Sequence, residues 1–305
     1  MIGNAIEAEG LTRRFGRKLA VSGLSFRVPH GSLFALLGPN GAGKTTAIKL
    51  LMNLLEPTRG NVRVLGTDST RLGPSELAQI GYVSENQRLP GWMTVAELLA
   101  YLRPLYPSWN EAFCRNLLGG FSLPLNEKIK NLSRGMKVKA ALLSSLAYRP
   151  RLLVLDEPFS GLDPLVREEL IRGVLEWAGE ESWTVLISSQ DVDEIERLAD
   201  WVAFLDAGNL VLAEPVASLE ARFRRVEVIT GDEAPLPAAL PAAWLQAAKA
   251  RRTVRFVDSR YSPASGEAIA AVFPNCAVTL FPMSLREVFL TLARNRRSTS
   301  PSLEV

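Results

Sequence analysis

The 305 residues suffice for about two domains at the usual ~150 residues each, with material for a substantial buried core. A hydrophobic fraction of 47% and a charged fraction of 22% exclude a globally disordered chain. The formal charge of +3 is too small to mark a nucleic-acid binder by itself. The balance is uneven: residues 222–305 carry twelve basic and seven acidic side chains, net +5, leaving −2 for residues 1–221.

Residues 6–28 alternate apolar and polar positions around a Gly16-Arg17 turn and predict paired strands. Ser32–Leu37 predicts a strand feeding a glycine-rich loop. A helix follows with Ile48, Leu51, Met52 and Leu55 on one face, stopped by Pro57 and Gly60. Val62–Leu65 returns as a strand. Between about 88 and 150 the strand signal gives way to helical periodicity. There Thr94-Val95-Ala96-Glu97 has the form of a capping box, with Leu98, Leu99 and Leu102 on the apolar side. Arg151–Leu155 and Thr184–Ser188 predict buried strands flanking a helix near Val166–Ala178. This order describes a parallel α/β sheet with a helical block inserted into it.

Around Glu214–Arg225 the pattern breaks, and the proline-rich Gly231–Pro241 reads as an irregular linker. Beyond it come a strand at Val254–Val257, a helix at Gly266–Val272, a strand at Ala277–Phe281 and a helix at Leu285–Arg294. The polar tail Arg296–Val305 is expected to fray. The domains are therefore expected at 1–221, with the helical block at about 88–150, and at 222–305, a small α+β appendage. Cys114 and Cys276 form no C-x-x-C pair, so no disulfide framework or zinc site is expected. The N-terminus lacks signal-peptide features, and no run approaches the 18 or so apolar residues that span a bilayer.

Gly38-Pro39-Asn40-Gly41-Ala42-Gly43-Lys44-Thr45-Thr46 satisfies G-x-x-x-x-G-K-[ST] between a predicted strand and a predicted helix. The glycines let backbone amides turn inward around phosphate oxygens, and the helix N-terminus adds partial positive charge. Lys44 supplies a full charge to the β- and γ-phosphates, and the Thr45 hydroxyl completes a Mg²⁺ shell. Leu152–Leu155 runs into adjacent acids, Asp156 and Glu157, at a strand end where ligands bind in open α/β sheets. Asp156 is suited to hold Mg²⁺ through a water and Glu157 to orient and deprotonate an attacking water.

With these motifs the chain, over roughly residues 4–220, resembles the ATP-binding subunit of ABC transporters. Phe15 matches the aromatic that stacks on adenine. Leu132-Ser133-Arg134-Gly135-Met136 stands at the family signature, and Ser160-Gly161-Leu162-Asp163 resembles the following D-loop. The resemblance implies a P-loop NTPase core with an antiparallel β subdomain and a helical subdomain. It also implies ATP and Mg²⁺ as ligands, and a head-to-tail dimer with Ser133 and Gly135 facing the γ-phosphate held by a second ATP-binding subunit, homodimeric or heterodimeric. The helical block, rich in aromatics at Trp92, Tyr101, Tyr106 and Trp109, is where the family docks an integral membrane permease. The implied location is peripheral, on the cytoplasmic face of the membrane, and the expected work is export, without nucleic acid.

Three positions depart from the family pattern. Arg134 and Met136 replace Gly and Gln in the signature. Glu85 stands where a Gln senses Mg²⁺ and the attacking water, with Gln87 two positions on as the alternative. Gln190 occupies the position of the switch histidine; it can donate a hydrogen bond but carries no proton or positive charge, which implies slow turnover. His30, the only histidine, sits at a Pro29-His30-Gly31 turn. Two other readings use the same head: an ATP-dependent regulatory clamp on a membrane sensor, and a soluble ATPase acting on DNA or the ribosome. The Pro282–Leu290 segment resembles the closing helix of exporter-type ATPases. Arg224-Arg225, Arg251-Arg252 and Arg296-Arg297 are candidates for anionic lipid or an acidic subunit face.

Overall fold

The computed structural model describes residues 3–85, 87–181, 183–230, 236–237 and 239–299. Most of the expected linker Gly231–Pro241 and the end of the tail lie outside them, as do the side chains of Arg296 and Arg297. In chain order, the hairpin of β1 (Asn4–Phe15) and β2 (Lys18–Pro29) precedes β3 (Leu33–Leu37) and α1 (Lys44–Leu51). Next come β4 (Arg59–Val64), β5 (Thr67–Asp68), α2 (Pro74–Leu77) and β6 (Ile80–Ser84). Helices α3 (Val95–Leu102), α4 (Glu111–Phe121) and α5 (Arg134–Leu146) lead to β7 (Leu152–Asp156), α6 (Pro164–Glu181) and β8 (Thr184–Ser189). The chain continues through α7 (Val192–Ile195), β9 (Trp201–Asp206), β10 (Asn209–Pro215) and α8 (Val216–Arg222). It ends with β11 (Arg224–Ile229), β12 (Trp244–Ala250), β13 (Thr253–Asp258), α9 (Ser265–Val272), β14 (Ala277–Pro282) and α10 (Leu285–Thr299). These form two compact units, residues 1–191 with 201–213 and residues 192–200 with 214–305.

The first unit holds two sheets. One has the order β2-β1-β4-β5, with antiparallel pairing throughout. The other has the order β10-β9-β3-β8-β7-β6, with parallel pairing from β9 to β6. Its central strands β3, β7 and β8 are buried at every position, which is why they read as continuous apolar runs rather than alternating ones. Apolar side chains of both sheets and of α1 share one core that includes Ile6, Leu24, Phe34, Ile48 and Val154. The helical block joins β6 to β7, its parallel neighbour, as a long crossover must. Its capping box is realised: the Glu97 amide donates to Thr94 Oγ1 (3.1 Å) and the Thr94 amide to Glu97 Oε2 (2.8 Å).

The helix after the phosphate loop ends earlier than its periodicity suggests, at Leu51 rather than Leu55. Asn53 takes a left-handed conformation (φ 54°), and the amides of Leu54 and Asn53 return to the carbonyls of Lys49 and Leu50. That is a Schellman stop, placed before Pro57 has any effect.

In the second unit a sheet of order β12-β13-β11-β14 is antiparallel throughout. Trp244, Phe256 and Phe273 pack with Val226, Val228, Val254 and Ile269 in its core. Two sequence expectations are corrected here. The stretch Glu214–Arg225 is regular, because the end of β10, all of α8 and the start of β11 follow one another directly. The last helix runs through Thr299, five residues past its expected end. Arg224 lies over the Tyr261 ring, and the partly exposed Arg225 pairs with Glu287 (2.9 Å) and lies over Phe281. Arg251 and Arg252 stay exposed at the β12–β13 turn.

Candidate functional site

Strand order brings the site together. Because β8 lies between β3 and β7, the loops leaving β3 and β7 open side by side at the carboxyl end of the sheet, the usual place for ligands in open α/β folds. Register sets Ser188 beside both Leu36 and Asp156.

The phosphate loop depends on glycine at two points. A Cβ on Gly38 would stand 2.3 Å from the Leu205 carbonyl oxygen, and one on Gly43 2.6 Å from that of Ala20. Gly43, at φ 104°, is also the residue from which α1 starts. The first-turn amides of α1 have no intrahelical acceptors, and residues Asn40–Thr46 line a cleft of about 200 Å³. Lys44 Nζ donates to the carbonyls of Gly38 (2.6 Å) and Pro39 (3.2 Å) and stands 3.0 Å from Glu157 Oε1. Lys18, Ala20, Glu85 and Glu157 complete the lining.

Across the cleft floor runs a hydrogen-bonded chain. Thr45 Oγ1 donates to Asp156 Oδ1 (3.1 Å), Ser188 Oγ donates to the same oxygen (2.8 Å), and the Glu157 amide donates to Ser188 Oγ (3.0 Å). Burial pushes the Asp156 carboxyl above its ordinary range, opposed by the Ser188 and Thr45 hydroxyls and then by Lys44 and Lys49. Glu157 adopts a left-handed backbone (φ 50°), an unusual conformation for a non-glycine residue and one enriched at functional sites. Its Oε1 is buried and accepts no hydrogen bond within the protein; the contact with Lys44 is an ion pair only.

The donor set fits the expected ligands. Thr45 and Asp156 offer hard oxygens, few in number, as suits Mg²⁺ bound jointly with phosphate. Among the described residues no group of three or more His, Cys, Asp or Glu forms a dedicated metal cage. The Glu157 side chain lines the same cleft as Lys44 and Thr45.

Other expected residues lie apart from this cleft lining. Phe15 is 43% exposed at the hairpin tip, with the Arg13 guanidinium 4.7 Å from its ring centroid. Its cross-strand neighbour is Lys18, which does line the cleft. Gln190 is exposed just past β8, on a turn closed by Ser189 Oγ and the Asp191 amide (2.9 Å). Ser133 caps α5, accepting from the Met136 amide (3.2 Å). Gly135 packs so closely that an added Cβ would meet Val166 at 2.8 Å. Asp163 accepts from the Leu165 amide (2.9 Å) at the start of α6.

Of the two loop candidates, Glu85 faces the phosphate cleft. Gln87 accepts from the Ser84 amide (3.3 Å) and lines a second cleft of about 370 Å³ with Tyr82, Leu89, Pro90, Tyr101 and Tyr106. In the helical block, Trp92 and Tyr101 are exposed. Tyr106 instead stacks on Tyr148 at 3.9 Å, and Met93 is buried. Sequence reasoning passed over Ser188 and Lys18; the only signal for Ser188 was a small polar residue closing an otherwise apolar strand.

Residues 21–160 match the family "ABC transporter". The chain is 32% identical over 222 residues to the bacitracin transport ATP-binding protein BcrA of Enterococcus faecalis, covering 72% of each chain. It is 35% identical over 239 residues to the Nod factor export ATP-binding protein I of Rhizobium leguminosarum bv. viciae, covering 75% of this chain and 76% of that one. A solved ATP-binding subunit of an ABC transporter superposes with a TM-score of 0.65 at 28% identity, over 71% of this chain and 92% of that one. With a phosphate loop, paired acids and relatives of this extent, the chain belongs to the ABC transporter family as one of its ATP-binding subunits.

Proposed function

We propose that this chain binds ATP with Mg²⁺ in the cleft of Asn40–Thr46, hydrolyses it with Glu157, and drives export through a separate membrane-spanning subunit. The observation that carries the reading is the convergence of Lys44, Thr45 and Glu157 on one cleft, with the buried Asp156 carboxylate held behind it by the Thr45 and Ser188 hydroxyls. Loop amides and Lys44 hold the phosphates, while Thr45 and Asp156 hold Mg²⁺. Glu157 orients and deprotonates the attacking water. Mg²⁺, when bound, offsets the negative charge of the phosphate oxygens.

Ser133 and Gly135, outside the cleft lining and at the positive end of α5, serve the ATP held by a second ATP-binding subunit. The head-to-tail dimer and the exposed Phe15 as adenine platform belong to the same reading. Export follows from the relatives, one named for Nod factor export and one for bacitracin transport. The permease docks at the cleft of Tyr82, Gln87 and Tyr101, whose aromatic lining suits an apolar helix. Among the described residues no helix is long and apolar enough to cross a membrane.

Glu157→Gln is expected to retain ATP, abolish turnover and accumulate dimers on gel filtration. Turnover at the wild-type rate would remove Glu157 from its role. Gln190, exposed and outside the cleft lining, favours a second reading with slow hydrolysis, an ATP-dependent clamp on a membrane sensor. Turnover that the co-purified membrane partner stimulates in step with substrate flux supports the exporter; flux-independent, slow turnover supports the clamp.

A further inference from the structure

Arg13 stands two residues before Phe15 on β1, the spacing at which strand side chains share a face. An arginine near a hairpin tip has water available for all its donors, yet this one is drawn inward. Its Nη1 donates to the Glu56 carbonyl (2.7 Å), and its Nε is buried without a hydrogen-bond acceptor. The guanidinium carbon lies 4.7 Å from the centroid of the Phe15 ring, within cation–π range. A buried donor left unpaired costs stability, and the carbonyl bond and the ring contact offset that cost. Neighbouring bonds fix the backbone beside it: the Arg14 amide donates to Thr58 Oγ1 (3.1 Å) and the Thr58 amide to the Thr12 carbonyl (2.8 Å). Glu56 and Thr58 lie on the segment between α1 and β4, and α1 is the helix that starts from Gly43 of the phosphate loop. Arg13 thus ties an exposed ring at the hairpin tip to the chain that leaves the phosphate-loop helix.

We propose that Arg13 is a positioning residue that sets how strongly the site holds the base of its nucleotide, by gripping Phe15 on one face while a purine stacks on the other. The inference rests on the reading of Phe15 as the adenine platform. A ring with one face taken by a cation has one face left to offer, and Phe15 keeps 43% of its surface exposed. The guanidinium draws the ring's electron density toward itself, which favours contact of the opposite face with an electron-rich purine. It also holds the ring in one orientation before the ligand arrives, so less side-chain freedom is lost on binding. Through Glu56 the platform keeps its register to α1, and a nucleotide whose phosphates lie at the helix start meets a ring already in place. The effect belongs to the base alone: a triphosphate without a base draws nothing from it.

The test is equilibrium binding to the full chain of three probes with Mg²⁺: a non-hydrolysable ATP analogue, the matching UTP analogue and inorganic tripolyphosphate. The proteins are wild type, Arg13→Met, Arg13→Lys, Phe15→Leu and the Arg13→Met, Phe15→Leu double variant, with thermal melts to report folding. Arg13→Met is expected to weaken the ATP analogue about two- to fivefold. It should also narrow the preference for that analogue over the UTP analogue, and leave tripolyphosphate affinity unchanged. Arg13→Lys, which restores a cation over the ring, is expected to recover part of the loss. In the Phe15→Leu background, Arg13→Met should add little. Tripolyphosphate affinity that falls in parallel with ATP-analogue affinity overturns the proposal, because Arg13 would then act through its charge or through the fold. So does unchanged ATP-analogue affinity in Arg13→Met when Phe15→Leu weakens it. If Phe15→Leu itself binds the ATP analogue as wild type does, the platform reading fails instead, and that result is independent of any Arg13 variant.

Discussion

Lys44 Nζ sits 3.0 Å from Glu157 Oε1, with both side chains nearly buried at 5% and 11% exposure. The cation needed for phosphate is held by the acid needed for water, and phosphate must compete with that ion pair for Lys44. Neutralising the acid should therefore help binding as well as block chemistry. Glu157→Gln is expected to bind a non-hydrolysable ATP analogue about three- to tenfold more tightly than wild type. Equal affinities by calorimetry would show that the pair does not hold Lys44 back.

Asp156 pays for its burial. Its carboxyl is raised above the unfolded value, chiefly by desolvation. Between those two values the native state binds the extra proton, so this residue's contribution to stability is present at low pH and is lost as pH rises through the folded value. Asp156→Asn is expected to melt a few degrees higher than wild type at neutral pH without metal, by about 2–4 °C. It should also lose the Mg²⁺ dependence of ATP binding. The gap in melting temperature should close as pH falls through the carboxylate range. Calorimetric scans across pH check this, and a variant that melts lower than wild type at neutral pH contradicts it.

Glu85 and Lys18 line one cleft of about 200 Å³. Where the family carries a neutral glutamine, Glu85 adds a negative charge against a polyanionic ligand, and Lys18 offsets it. Lys18→Met is expected to weaken ATP binding about three- to tenfold at low salt, and Glu85→Gln to strengthen it by a similar factor. Both effects should shrink at high salt, and a double-mutant cycle should give non-zero coupling. Salt-independent effects would point to direct hydrogen bonds in place of charge balance.

Gln190 cannot titrate. Gln190→His is expected to raise the hydrolysis rate about tenfold. It should also introduce a pH-dependent limb around the imidazole range near 6.5, absent from wild type. A histidine variant no faster than wild type, with the same flat profile, removes the argument that this position limits turnover.

In the second unit, Glu196 Oε1 accepts from the Leu285 amide (2.5 Å) at the start of α10, where the Ser284 and Glu287 capping pair also acts. Asp193 pairs with Arg286 nearby at 2.6 Å, with both side chains more than half exposed. Glu196→Ala is expected to cost on the order of 1–2 kcal/mol, because it leaves a helix-terminal donor without its partner. Arg286→Ala should cost less than about 0.5 kcal/mol, as exposed ion pairs do. Denaturant titrations rank the two, and the reverse order would sink the distinction.

Legibility in the sequence followed burial. The apolar runs of β3, β7 and β8 and the phosphate loop between β3 and α1 could be read because each is dictated by local chemistry. Strand β6 was not: Ile80–Ser84 is short and broken by Gly81, a residue required because a Cβ there would meet the Ser145 carbonyl oxygen at 2.7 Å. Strand β12, with sequence WLQAAKA, has helical composition, yet its burial alternates with period two along β13. Sheet pairing there overrides propensity. Ser188 became legible only when the order β3-β8-β7 set it beside Asp156. Arg134 stood out in sequence as a departure from the signature, but nothing local pointed to its bond with the Ser160 carbonyl, 26 residues away.

Because residues 192–200 group with 214–305 while 201–213 group with the first unit, the backbone passes between the two units three times. The appendage is consequently not a bead at the end of a string. A chimera that exchanges only the stretch after residue 221 with a relative would graft α10 onto a foreign Glu196 and Asp193. Swapping the two discontinuous pieces together is the exchange that keeps its partners matched.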